Sequence, residues 1–192
     1  MTPVTRLPDL RQRIILAVLR IISADGVAAV TNRRIAQEAG VSLGSVTYHF
    51  ATQHDLLRES LRYFVAEETR RFTELAEQHC GEIVDLSEAA TMVGQVAGTV
   101  GNERIAPFEL YIQAGRDPRL RDAAAECFAA YDRLATKILT ALGVPDAERA
   151  ARATVALVVG LQLRRLATGS TTDDLVDALL LLTCGPDPAR AR

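Results

Sequence analysis

The chain has 192 residues, of which 48% are hydrophobic and 24% charged, and carries a net charge of −2. That balance excludes a disordered or fibrous chain, and the near-zero charge gives no overall reason to expect nucleic acid or an acidic membrane as partner. Three cysteines, Cys80, Cys127 and Cys184, are odd in number and form no CxxC pair, which argues against a disulfide framework and for a reducing compartment.

Almost every segment reads as helix. In DLRQRIILAVLRIISADG, Leu10, Ile14, Val18 and Ile21 recur at three- and four-residue steps, and Asp25-Gly26 supplies a stop. A short second helix follows Thr31, a good N-cap, and ends at Gly40. Ser42 can cap a third helix running to about His49. Thr52 can cap a longer fourth, in which Leu56, Leu57, Leu61, Phe64, Val65, Phe72 and Leu75 keep helical spacing as far as Gln78 or Cys80. Five further segments, residues 85–101, 103–115, 118–143, 146–169 and 172–185, read as helix with Gly or Pro between them. The expected fold is all-α, about nine helices.

Charge is unevenly divided along this series. Residues 1–58 carry seven arginines against four acids, or +3, whereas the remainder carries 15 basic and 20 acidic residues, or −5. Such halves suggest a basic contact module, residues 1–58, joined to an acidic body, residues 59–192. The N-terminus lacks the apolar run of a secretory signal, and no stretch reaches the roughly 18 consecutive apolar residues of a membrane span. A cytoplasmic protein without membrane contact is expected.

The stretch TNRRIAQEAGVSLGSVTYHF, residues 31–50, has the pattern of a helix-turn-helix. At about 100° per residue, Val46 and Phe50 share one face of the third helix and can pack on Ile35, Ala36 and Ala39. Gly44, Ser45 and Tyr48 then turn outward, and Gly40 tolerates the left-handed backbone of a sharp turn. The outward face is small and polar, suited to the major groove, where hydroxyls reach base edges and methyl groups meet thymine. Arg33 and Arg34 can reach phosphate or a guanine edge, and the second helix's N-terminus at Thr31 offers N–H groups to phosphate. A plain helical hairpin with a solvated polar face remains the other reading of this pattern.

These residues resemble the DNA-binding region of the tetracycline-repressor (TetR) family of transcriptional regulators. Thr31, the turn Ala39-Gly40-Val41, the ending Tyr48-His49-Phe50 and the pair Leu56-Leu57 carry the resemblance, which covers about the first 60 residues. It implies phosphate contacts from Thr31, Tyr48 and His49, and base-edge contacts from Arg33, Leu43, Gly44, Ser45 and Thr47, with Arg34 and Ser42 alongside. Two departures stand out: the family often has Tyr where this chain has Thr47, so either Thr47 or Tyr48 holds the phosphate position, and it often has Lys where this chain has Gln53. The resemblance further implies a double-stranded DNA operator, a small-molecule effector and a homodimer. Effector binding in the body would tilt the fourth helix and move the two recognition helices out of register with the groove.

The body carries no motif of its own. Met92, Phe108, Tyr111, Gln113, Phe128 and Tyr131 stand among many small residues and are the candidate effector contacts, with ordinary core packing as the alternative for each. The last two helices are apolar on more than one face, with the run Leu179 to Leu182 hard to hide in a monomer, so they are the expected dimer interface. No cofactor is implied: His49, His54 and His79 lack metal-ligand spacing, and neither a phosphate-cradling glycine loop nor a GxSxG elbow appears. A non-catalytic DNA-binding regulator is therefore expected, ahead of a helical protein-interaction module or an enzyme with an unrecognised site.

Overall fold

The computed structural model describes residues 9–78, 88, 105–169 and 177–179. Among these lie α1 (Leu10–Asp25), a 3-10 turn (Val27–Ala29), α2 (Asn32–Ala39), α3 (Leu43–His49), α4 (Gln53–Gln78), α5 (Ile105–Arg116), α6 (Pro118–Ala141) and α7 (Ala147–Thr168). The described residues contain no strand, as the all-α reading requires. The helices expected over 85–101 and 172–185 fall outside them, apart from Glu88 and residues 177–179, which are helical.

α1 begins with a reciprocal cap. The Asp9 carboxylate accepts the Gln12 N–H at 2.7 Å while the Gln12 side chain accepts the Asp9 N–H at 3.2 Å, which satisfies two donors that a helix start leaves open. The helix ends at Gly26, whose φ of 81° lies where side chains rarely go. Between these ends Ile14, Ile15, Val18, Ile21 and Ile22 are buried. Leu10 shares their periodicity but is 39% exposed, because it occupies the first turn and the buried stripe starts one turn later.

The described residues form two compact units. The first gathers residues 9–64 and 105–125; the second gathers 65–78, 88, 126–169 and 177–179. In the first, α1 packs against both α2 and α5. A carboxylate from α5 secures the end of α1: Glu109 Oε2 accepts the Val27 N–H at 2.8 Å, bonding a donor at the start of the 3-10 turn that no intrahelical carbonyl can serve. A second tie joins His54 Nδ1, in the first turn of α4, to Asp117 Oδ2 at 2.6 Å, a close contact not aligned as a hydrogen bond. The Arg119 side chain also bonds Asp117, and this holds the Asp117 carboxyl below its ordinary value of 3.8 against the opposing effect of burial. Arg121 closes α5 by donating to the carbonyls of Ala114 and Gly115 at 3.3 and 3.1 Å.

α1 is also tied to α4. Arg11 pairs with Glu59 at 2.6 Å and lies over the Phe50 ring, 5.2 Å from its centroid. Burial pushes the Glu59 carboxyl up, but Arg11 and Arg62 outweigh it and the net displacement is below the ordinary 4.5. In the second unit, Tyr131 donates its hydroxyl to Glu68, while Cys127 and Leu139 are buried. α7 is apolar yet incompletely covered: Ala151 is its one buried residue, Leu157, Val158, Leu161 and Leu166 are half-buried, and Leu163 is 49% exposed.

Two outcomes follow for stability. Ile35 is fully buried between α1 and α3, so Ile35→Ala is expected to cost about 2–5 kcal/mol in chemical denaturation. Glu59 contributes stability in full above its unfolded value and loses it as pH falls through its depressed folded value. Glu59→Gln should therefore lower the neutral-pH stability by no more than about 1 kcal/mol and flatten the acid limb of a melting-temperature profile; an unchanged acid limb would argue against the Arg11–Glu59 pair.

Candidate nucleic-acid interface

The turn between α2 and α3 is three residues long, Gly40 to Ser42, and much of its backbone is bonded. Gly40 has φ 62° and ψ 43°, in the left-handed region. Its N–H donates to Gln37 O at 3.2 Å and the Val41 N–H donates to Ala36 O at 3.0 Å, the paired bonds of a Schellman motif. Arg13 then reaches from α1 to donate to Ala39 O at 2.8 Å and Gly40 O at 3.1 Å. Ser42 opens α3, accepting the Ser45 N–H on its hydroxyl at 3.0 Å. Across the turn Val46 and Phe50 are buried along with Ile35, Ala36 and Ala39, the five side chains that the helical period assigns to the interior.

The opposite face is open. Leu43 is 53% and Tyr48 86% exposed, unusual for large apolar-bodied side chains, and Ser42, Gly44 and Thr47 are exposed beside them. Ser45 is half-buried, with its hydroxyl 2.8 Å from that of Ser42. The hydroxyl of Thr47 turns back to donate to Gly44 O at 3.1 Å, whereas the Tyr48 ring projects outward with an edge-on contact to His49, centroids 5.3 Å apart. His49 sits half-buried in the last turn.

On α2, Thr31 caps the helix through the Arg34 N–H. Arg33 is exposed and makes no ion pair among the described residues, but Arg34 is paired with Asp25 at the end of α1. Gln53 also has an internal partner: its amide donates to Val30 O at 3.0 Å, so this donor is occupied within the protein. The candidate side chains thus differ in how far their polar groups are already engaged. Of the candidate effector residues, Phe108, Tyr111 and Gln113 lie on α5 in the first unit, Phe128 and Tyr131 on α6 in the second, all half-buried; Met92 lies outside the described residues.

The chain matches known families over two stretches, and residues 105–125, which pack in the first compact unit, fall in the second of them. Residues 14–60 match the family of bacterial regulatory proteins described as tetR, and residues 84–183 match the tetracyclin repressor-like C-terminal domain. The chain belongs to the TetR family. It is a DNA-binding transcriptional regulator by that membership. It is 28% identical over 191 residues to the nicotine-responsive transcriptional repressor HdnoR of Paenarthrobacter nicotinovorans, covering 90% of this chain and 94% of that one. Among solved structures, the multidrug binding protein EbrR complexed with imidazole is 33% identical with a TM-score of 0.69, covering 96% of this chain and 99% of the other. The same protein complexed with ethidium matches at 32% identity and a TM-score of 0.69, covering 91% and 99%.

In this TetR-family chain Ser42, Leu43, Gly44, Thr47 and Tyr48 are exposed along α3 and its cap, and the arginines that brace the adjoining turn and Phe50 come from α1. Sequence reasoning gives Arg11 and Arg13 no role, because their partners lie in α2, α3 and α4; the one available signal is their position on a helix whose other side is fully apolar. Gly40 offers a direct check on the turn. An added Cβ would meet the Arg13 guanidinium at 3.3 Å on top of the positive φ. Gly40→Ala is therefore expected to cost about 1–2 kcal/mol in thermal or denaturant unfolding, whereas Gly44→Ala, with nothing closer than 3.8 Å, should fold normally.

Proposed function

We propose that this regulator is a ligand-responsive repressor that binds a pseudo-palindromic operator as a cytoplasmic homodimer. The observation that carries the DNA reading is the exposed face of α3, small and hydroxyl-rich apart from Leu43 and Tyr48, beside the unpaired Arg33. Tyr48 takes the phosphate contact in this reading, since the Thr47 hydroxyl donates to its own helix. Thr31 and His49 add backbone contacts, Arg33 reaches phosphate or a guanine edge, and Leu43, Gly44, Ser45 and Thr47 meet base edges. Arg34 takes part by exchanging Asp25 for phosphate, and Gln53 through the part of its side chain not bonded to Val30. The half-covered apolar face of α7 supports dimerisation there.

For the effector, we infer a nitrogen heterocycle. HdnoR responds to nicotine, and EbrR is complexed with imidazole and ethidium; all three ligands carry ring nitrogen. The second unit of this chain holds a half-buried carboxylate, Glu68, with the Tyr131 hydroxyl on it and Phe128 one turn before Tyr131. A carboxylate beside aromatic rings suits a flat cation. α4 is one continuous helix from Gln53 to Gln78 and supplies residues to both units, as does α6, so both are covalent routes from the effector to the unit that holds the recognition helix.

Selection of bound sequences from random DNA should return an inverted repeat. Against that operator, Tyr48→Phe and Arg33→Ala should each weaken binding about ten-fold with the dimer intact in sedimentation, and Arg33→Ala should lower the salt slope by about one. Absence of salt-dependent binding to any DNA would favour a protein-interaction role. Ethidium fluorescence should report binding that releases operator, and Glu68→Gln should weaken it about ten-fold without altering operator affinity in the absence of ligand.

A further inference from the structure

We propose that Arg13, on α1 and outside the DNA-contacting surface, is a positioning residue that sets the angle of α3 and thereby the sequence discrimination of the regulator. The reasoning starts from carbonyl accounting at the end of α2. A helix leaves its last four carbonyls without intrahelical donors. The Schellman bonds occupy Ala36 O and Gln37 O, which leaves Glu38, Ala39 and the turn carbonyl of Gly40. Ala39 O and Gly40 O both receive Arg13 Nη2, at 2.8 and 3.1 Å, and the Ala39 bond is part-buried. A positive charge at the negative end of the α2 dipole adds to these bonds.

The site is fitted to this one side chain. Gly40 has the backbone conformation that places its carbonyl toward α1, and a Cβ there would lie 3.3 Å from Arg13 Nη2, so the glycine opens the path the guanidinium uses. Arg20, seven residues along the same face of α1, makes the contrast: its strong contact is a surface pair with the Glu38 carboxylate at 2.7 Å, and its approach to Glu38 O is 3.5 Å. Arg13 binds the backbone of the turn; Arg20 binds a side chain beside it.

Why this affects discrimination follows from which contacts lie on each side of the turn. The α2 contacts to phosphate, at Thr31 and Arg33, precede it and move with α1. The base-edge contacts on α3 follow it. α3 has seven residues, fewer than two full turns of hydrogen bonds, so its orientation is imposed by Val46, Phe50 and the turn. Release of the two carbonyls lets α3 pivot, degrading its base contacts and loosening the Tyr48 and His49 phosphate contacts it also carries, while sparing the contacts of α2.

The test is Arg13→Met, which keeps an unbranched stem, measured on full-length dimer for operator affinity, affinity for unrelated DNA, salt slope and melting temperature. The expected result is a ratio of operator to unrelated-DNA affinity reduced about ten-fold, with a smaller loss on unrelated DNA and the salt slope close to that of the wild type. Two results overturn the proposal: an unchanged ratio, or equal losses on both DNAs with a salt slope lower by about one, which would make Arg13 a phosphate contact. If Arg13→Met does not fold, Arg13→Gln decides, since its side chain stays polar but is two bonds too short to reach both carbonyls; a reduced ratio supports the proposal and a wild-type ratio refutes it. Arg20→Ala, in the same assays, should retain the wild-type ratio, and a loss matching that of Arg13→Met would overturn the special role of the turn carbonyls.

Discussion

Helices of eight and seven residues do not persist alone in water, because nucleating a turn fixes more backbone freedom than its first bonds repay. α2 and α3 exist in this chain because α1 offers them a fully apolar flank. Ile14, Ile15, Val18 and Ile22 are within one per cent of complete burial, and Ile35 joins them from α2. On the other flank of α1 lies α5. Everything that gives the recognition face its shape, from the Gly40 turn to the outward Tyr48, depends on this one helix being held on two sides.

Much of the first unit was legible in the sequence because its determinants are local. Thr31, Ser42 and Thr52 cap the helices that follow them, Gly40 is left-handed, and the period of 3.6 assigns Val46 and Phe50 to the interior. What stayed hidden depends on long-range partners. Nothing near Gly26 announces that Glu109, 82 positions away, will bond the next N–H. The pairing of Arg34 with Asp25 and of Gln53 with Val30 changes which groups are free, yet each residue looks like an unoccupied donor in one dimension. Asp9 and Gln12 form a cap with a local signature, D-x-x-Q, which the stronger stop and start signals downstream obscured. Candidate effector contacts are the least legible in sequence, since large side chains among alanines mark core and cavity alike.

The positive excess of the first 58 residues is also less available than it looks. Arg11 is spent on Glu59, Arg20 on Glu38, Arg34 on Asp25 and Arg58 on Asp55. These pairs are surface-exposed and each stabilises little; three of the four acids are already counted in the +3 of residues 1–58, and Glu59 lowers that only to +2. A neutral recognition helix carries less of its affinity in phosphate attraction and more in shape and hydroxyl contacts, which favours reading over mere adhesion.

The presence of α5 in the first unit has a consequence for rebuilding the molecule. The compact piece that presents α3 is discontinuous along the chain, residues 9–64 plus 105–125, stitched by Glu109 to Val27 and by Asp117 to His54. A chimera made by cutting at a single point after the motif would carry the reading face but leave behind the helix that closes its far side, with an apolar flank of α1 bared to solvent. Portability of such a reader is therefore a property of two segments inherited together, and mosaics that exchange one without the other would lose it by exposure of core rather than by loss of any DNA contact.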